Sequence, residues 1–130
     1  MSADKVPLPR RRPASDYLGR SFTVQVDRPL GSAHPFHGFI YLLNYGYIAG
    51  EMALDGGAQD AYILGVAEAL EQFSGICIAV ILRLDDVEDK LVIAAPGQQF
   101  SEEEIRDRTY FQERFFHSRI TLLNDVKEGR

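Results

Sequence analysis

Two acidic runs hold the residues best suited to chemistry. The first is Asp55-Gly56-Gly57-Ala58-Gln59-Asp60, and the second is Asp85-Asp86-Val87-Glu88-Asp89, followed by Lys90. A hard cation such as Mg2+ takes oxygen ligands octahedrally at about 2.0–2.1 Å and keeps several waters, so two or three carboxylates suffice when a phosphate completes its shell. Two such cations about 3.5–4 Å apart can hold an attacking hydroxide and neutralise a leaving phosphate. Phosphoryl transfer then asks mainly for in-line positioning and for positive charge on the peripheral oxygens, which tyrosines and a lysine or arginine can supply. Either run alone reads equally well as a solvated acidic turn, so the chemical reading depends on the two acting together. The remaining reactive types suggest structural roles. His34, His37 and His117 are scattered without zinc spacing. Cys77 lies in the apolar run Ile76–Ile81 with nothing basic beside it, as a buried thiol would. Tyr110, Phe111, Phe115 and Phe116 suit core packing or a subunit contact, and through the latter a homo-oligomer.

The elements that must position these acids can be read from periodicity. Phe22, Val24 and Val26 alternate with Thr23, Gln25 and Asp27, the pattern of a half-buried strand. Gly38 to Tyr47 should be extended, and Gly46 between two tyrosines suggests a close backbone approach or a bend. Leu54-Asp55-Gly56-Gly57 signals a turn, Ala61–Leu64 a strand, Ile76–Leu82 a central strand, and Leu91–Ala95 a further strand ended by Pro96-Gly97. Ser101-Glu102-Glu103-Glu104 is a capping box, and it places three carboxylates at the positive end of a helix dipole. Phe111 and Phe115, four apart, should share the face that packs on the sheet, and the helix should fade before Thr121. Strands followed by one helix give an α+β, mainly β chain: a small barrel with a C-terminal helix packed across it.

Bulk composition narrows the function classes. The 130 residues suit one domain, and the apolar fraction of 45% is ordinary for a globular core. Residues 1–16 read as a disordered, basic, Pro-rich tail of net charge +2, which leaves the domain over 17–130 at −7. An acidic body argues against a nucleic-acid groove. With no apolar run of about 18 residues and no apolar leader, neither a membrane span nor secretion is expected, and the cytoplasm is the default location.

Several segments carry a family resemblance. Val26-Asp27-Arg28-Pro29, then Tyr41-Leu42-Leu43-Asn44-Tyr45-Gly46-Tyr47, then Leu54-Asp55-Gly56 and Asp60 resemble soluble inorganic pyrophosphatase. In that family an Asn-Tyr-Gly-Tyr stretch leads into an Asp-Gly-Asp-Pro-x-Asp metal motif, and a later acidic turn precedes a strand like Lys90-Leu91-Val92. Asp27–Ser32 followed by His34-Pro35 is similar to a short bacterial branch of it. The resemblance implies a five-stranded OB-like barrel, a Mg2+ cofactor, and hydrolysis of pyrophosphate, or another small phosphoanhydride, to two phosphates by a Mg2+-activated water. It implies Asp55, Asp60, Asp85 and Asp89 as metal ligands, with Asp86 and Glu88 as rivals in the second run. Asp60 would face the nucleophilic water. Tyr41, Tyr45 and Lys90 would contact phosphate, and Arg119 lies near the place of a late basic contact.

The chain departs from that pattern at several points. Gly57 stands where the motif has its middle acid, with Ala58 and Gln59 after it, and an early hairpin is missing between Pro29 and Tyr41. Glu51 is a candidate replacement ligand. Three readings follow: an active Mg2+-dependent pyrophosphatase; a catalytically impaired barrel that binds phosphate ligands or proteins; and an enzyme for a nucleotide or other phosphoanhydride that uses the space of the missing hairpin.

Overall fold

The computed structural model describes residues 13–53, 56–85 and 88–124. After a 3-10 turn at Ala14–Asp16 come β1 (Ser21–Arg28), β2 (Asn44–Met52), β3 (Ala58–Ile63), β4 (Gln72–Arg83), β5 (Asp89–Ala94), α1 (Glu102–Glu113) and β6 (Ser118–Leu122). The strands pair in the order β1-β2-β3-β5-β4, and β4 pairs back onto β1, which closes a five-stranded barrel. Only β3 and β5 run parallel; the other pairs are antiparallel. The expected OB-like barrel with one helix is therefore the observed fold. No described helix is long and apolar enough to cross a membrane.

Strand β4 explains how so short a chain closes. Its twelve residues give one edge to β5, while the other edge serves β1 from Gln72 to Ile76 and β6 from Ala79 to Arg83. β6 is an element the periodicity did not reveal. Ser118-Arg119-Ile120-Thr121-Leu122 is too short and mixed to stand out from a fading helix, and its strand geometry comes from the open edge of β4.

Two apolar clusters lie on opposite sides of the barrel wall. One takes Phe22, Val24, Ile48, Ala61, Ile63, Cys77, Val80, Leu91 and Ile93 from all five barrel strands, and it is the barrel interior. The other takes Tyr41, Tyr45, Tyr62, Ile81 and Val92 beneath Ile105 of the helix. All six residues of β5 are buried because that strand has neighbours on both edges and packing on both faces. Cys77 is 0% exposed, and burial pushes its thiol up to about 12, so it is a structural thiol. Of the tail expected over 1–16, residues 1–12 lie outside the described residues, while Ala14 packs against the interior cluster.

Both halves of the expected capping box are formed. Ser101 Oγ accepts from the Glu104 N–H at 3.0 Å, and Glu104 Oε1 accepts from the Ser101 N–H at 2.8 Å. Phe111 packs on the sheet as expected, edge-on to Tyr41 and Tyr62. Phe115 does not: the helix ends at Glu113, and Phe115 lies beyond it, 54% exposed. The 38–47 stretch becomes a strand only at Asn44. The preceding loop is fastened instead by the buried Asn44 side chain. It accepts from the N–H groups of Leu30 and Leu70, each at 3.0 Å, and donates to the Glu68 carbonyl at 2.8 Å.

Gly46 is held by sterics. A Cβ there would lie 1.9 Å from the Gln25 carbonyl oxygen of the paired strand. Gly46→Ala must therefore push β1 and β2 apart. We expect a loss of stability at or above the top of the range of about 1–3 kcal/mol typical of overpacking. Urea unfolding reads it directly, and an unchanged midpoint would contradict the close approach.

Candidate functional site

Three strands bring Tyr45, Asp60 and Lys90 to one corner. Tyr45 pairs with Tyr62 across β2 and β3, and the parallel register sets Ala61 beside Leu91, so Asp60 and Lys90 occupy adjacent positions one residue earlier. Side chains alternate along a strand, which puts Asp60 with Tyr62, and Lys90 with Val92, on the helix-covered side of the wall. Lys90 is 3% exposed. Its Nζ donates to Asp60 Oδ2 at 2.6 Å and to Glu88 Oε1 at 2.5 Å, and lies 5.8 Å from the centre of the Tyr45 ring. Burial by itself would lower the Lys90 pKa, but Asp60 opposes it by charge and hydrogen bond, and the ammonium is held above its usual range. Burial raises the Tyr45 pKa well beyond the ordinary phenol value, so a neutral hydroxyl faces that ammonium.

A buried polar chain connects this corner to α1. Tyr41, stacked on Tyr45 with ring centres 5.6 Å apart, donates its hydroxyl to Gln112 Oε1 at 2.6 Å. Gln112 Nε2 donates to the Tyr62 hydroxyl, which donates to Glu113 Oε2, each at 2.6 Å. Arg83 grips Glu113 with two prongs, Nε to Oε1 at 3.1 Å and Nη2 to Oε2 at 2.8 Å. Its Nη1 lies 3.7 Å from Glu88, which returns the chain to Lys90. Burial opposes the charge on Arg83, but Glu113 more than compensates, and its pKa is raised. At the outer edge Arg28 neighbours Tyr41 and opposes the rise that burial causes in the tyrosine's pKa. Asp27 is raised by burial, which Arg28 opposes and the neighbouring charge of Asp60 reinforces.

The other sequence candidates lie elsewhere or outside the described residues. Asp55 lies outside them, as does Asp86, a rival to Asp85 and Asp89 in the second run. Asp85 Oδ2 accepts from the His117 N–H at 3.1 Å, in the link between α1 and β6. Asp89 is one residue out of phase with Lys90. The register aligns Lys90 with Ile81 and Ile120, and Asp89 with Leu82 and Arg119, so Asp89 and the exposed Arg119 lie on the opposite face from Lys90. The Asp89 carbonyl accepts from Gln59 Nε2 at 2.6 Å. Glu51 pairs with Arg20 at 3.5 Å. Glu88, a rival in the second acidic run, is the one of its described residues that reaches the corner.

The residues that sequence reasoning missed are Arg28, Arg83, Gln112 and Glu113. One signal was available: Ile105, Thr109, Gln112 and Glu113 follow the spacing of a single helix face, and all four are buried. A glutamate at the end of that face demands a buried cationic partner.

The described residues do not form a free-standing Mg2+ centre. No three Asp, Glu, His or Cys among them gather to hold a cation. Asp60 and Glu88 are both engaged by Lys90, and Glu113 is engaged by Arg83. In this arrangement two fixed side-chain cations pair with the three carboxylates.

No family model and no curated protein sequence matches the chain. Solved structures do. Inorganic pyrophosphatase from Ehrlichia chaffeensis superposes with a TM-score of 0.61 at 14% identity, over 97% of this chain and 96% of that one. The enzyme from Coxiella burnetii gives 0.59 at 13% identity over 95% and 94%. That from Thermus thermophilus gives 0.55 at 14% over 94% and 92%. The chain therefore has the fold of the inorganic pyrophosphatases, over nearly the whole length of either partner.

Proposed function

We propose that the chain binds pyrophosphate or another small phosphoanhydride, presented as its magnesium complex, at the corner of Tyr45, Asp60 and Lys90. The observation that carries this reading is the Lys90 ammonium clasped by two carboxylates beside a neutral tyrosine. Around it the carboxylates of Asp27, Asp60, Glu88 and Glu113 outnumber the cations Arg28, Arg83 and Lys90. Such a corner repels a naked polyanion. A ligand that brings its own cation meets both signs: partly exposed Asp60 and Glu88 face the cation, while Lys90, Arg28 and the Tyr45 hydroxyl donate to phosphate oxygens. Likeness of fold to pyrophosphatases supports the ligand class by analogy.

Binding without rapid turnover is the version that the pairing of the acids supports. Hydrolysis to two phosphates is the second reading, and one observation favours it. Asp60, with its side chain 35% exposed, can reach solvent from within the corner and could orient a water. Calorimetric titration of pyrophosphate with and without Mg2+, beside a phosphate-release assay, decides between them. We expect saturable binding that needs Mg2+, and phosphate release close to background. Release that requires Mg2+ and collapses in Asp60→Asn would establish hydrolysis. A folded sample that binds no phosphoanhydride under either condition would reject both readings.

A further inference from the structure

Beside the Lys90 corner a cleft of about 270 Å³ opens between α1 and the 34–39 loop, walled by His34, His37, Phe39, Phe115 and Phe116. We infer that this cleft receives the planar ring of a nucleobase, so that the ligand of the neighbouring corner is a nucleoside polyphosphate and not bare pyrophosphate. The inference rests on the phosphoanhydride reading above and narrows its ligand class.

Three features support it. The first is the aromatic lining. His37 stacks on Phe115 and on Phe39 with ring centres 6.2 and 6.3 Å apart, and the Arg83 guanidinium lies 3.7 Å from the centre of the Phe116 ring. Phe115 is 54% exposed on the rim, where His37 stacks on it and the Arg114 guanidinium lies 4.9 Å from its ring centre, so a planar ligand would take its place among these groups on the exposed ring. Base stacking on such faces accepts any π-surface.

The second feature is a fixed polar group. His34 Nδ1 accepts from the N–H groups of Phe36 and His37, each at 3.1 Å, so its proton resides on Nε2. Burial, with His37 and Arg28 nearby, lowers its pKa, which keeps the ring neutral at pH 7. A neutral imidazole with a donor Nε2–H suits the acceptor edge of a base.

The third feature is continuity. Arg83 lines the cleft and lies 3.7 Å from Glu88, which is bound to Lys90. Phe39, Tyr41 and Tyr45 form an unbroken row from cleft to corner, with ring centres 5.5 and 5.6 Å apart. A ring in the cleft and a phosphate at Lys90 can thus belong to one molecule.

The test compares ADP and ATP with pyrophosphate and tripolyphosphate by calorimetry on the full chain with Mg2+. The nucleotides should bind about tenfold more tightly than the polyphosphate of equal chain length. Phe115→Ala changes a half-exposed residue beyond the helix end, so the fold should hold, which circular dichroism verifies. It should remove most of the nucleotide advantage and leave polyphosphate binding unchanged. Nucleotides no tighter than polyphosphates, or an equal loss for both ligands in Phe115→Ala, would overturn the inference while the corner reading stands. Failure of every phosphoanhydride to bind would overturn both.

Discussion

Glu113→Leu should lower the midpoint of thermal unfolding by roughly 10–20 °C, the equivalent of about 3–5 kcal/mol for removing one partner of a buried ion pair. The substitution takes the two-pronged carboxylate from Arg83, whose side chain is 6% exposed, as is that of Glu113, and leaves the guanidinium its longer approach to Glu88 at 3.7 Å. It also takes away the acceptor of the Tyr62 hydroxyl. The loss comes from the charge left behind, not from the net worth of the bridge. Arg83→Met combined with Glu113→Leu should therefore recover at least about half of it, because an apolar pair of similar volume restores packing without a buried guanidinium that has lost its bidentate partner. Calorimetric unfolding of the wild type, both single variants and the double variant gives the coupling directly. If the double variant lost the sum of the single losses, Arg83 and Glu113 would be acting independently, against the two-pronged contact at 2.8 and 3.1 Å.

Lys90→Met should weaken pyrophosphate binding by about 100-fold, within the cost usual for truncating one member of a hydrogen-bonded charge cluster. It should also cost about 2–3 kcal/mol of stability. That lies below the full penalty for a buried pair, because the Asp60 and Glu88 side chains are 35% and 26% exposed and partly solvated, and Glu88 keeps Arg83 at 3.7 Å. The pH dependence identifies the ammonium as the cause. Lys90 has a folded pKa raised above its unfolded value of about 10.4. Its contribution is complete below that unfolded value and is lost as pH rises through the folded one. The gap in stability between wild type and Lys90→Met should accordingly stay constant from neutral to mildly alkaline pH and narrow only in strong alkali. A gap that closed between pH 7 and 9 would mean that the lysine charge is not what holds the corner.

These two variants probe parts of the site that differ in how far the sequence revealed them. Lys90, Asp60 and Tyr45 were singled out through the family resemblance, each from a short motif that carries it: a lysine opening an apolar strand, an aspartate after a glycine turn, a tyrosine beside a glycine. Arg83 carried no such mark, and Glu113 only the spacing of its helix face. Their meaning appears only when β4 and α1 are laid against each other, since thirty residues separate the partners. Asp89 shows the reverse limit. Composition cannot distinguish it from Glu88, yet the pleat of β5 sends one to the corner with Lys90 and the other to the opposite face.

The amino-acid order by itself determined the features governed by near neighbours. These are the two-residue alternation of β1, the capped start of α1 at Ser101, the apolar run that became β4, and the turns marked by glycine. They depend on local sterics and local hydrogen bonds, and they were enough to imply a small barrel with a helix across it. Tertiary structure alone decided which acids meet, that a sixth strand completes the edge of β4, and that Arg83 and Lys90 pair with the carboxylates. Those outcomes follow from strand register and from burial. A shift of one residue in register exchanges the two faces of a strand, and a charge placed beneath a helix must find its counter-ion from whatever distant segment packs there.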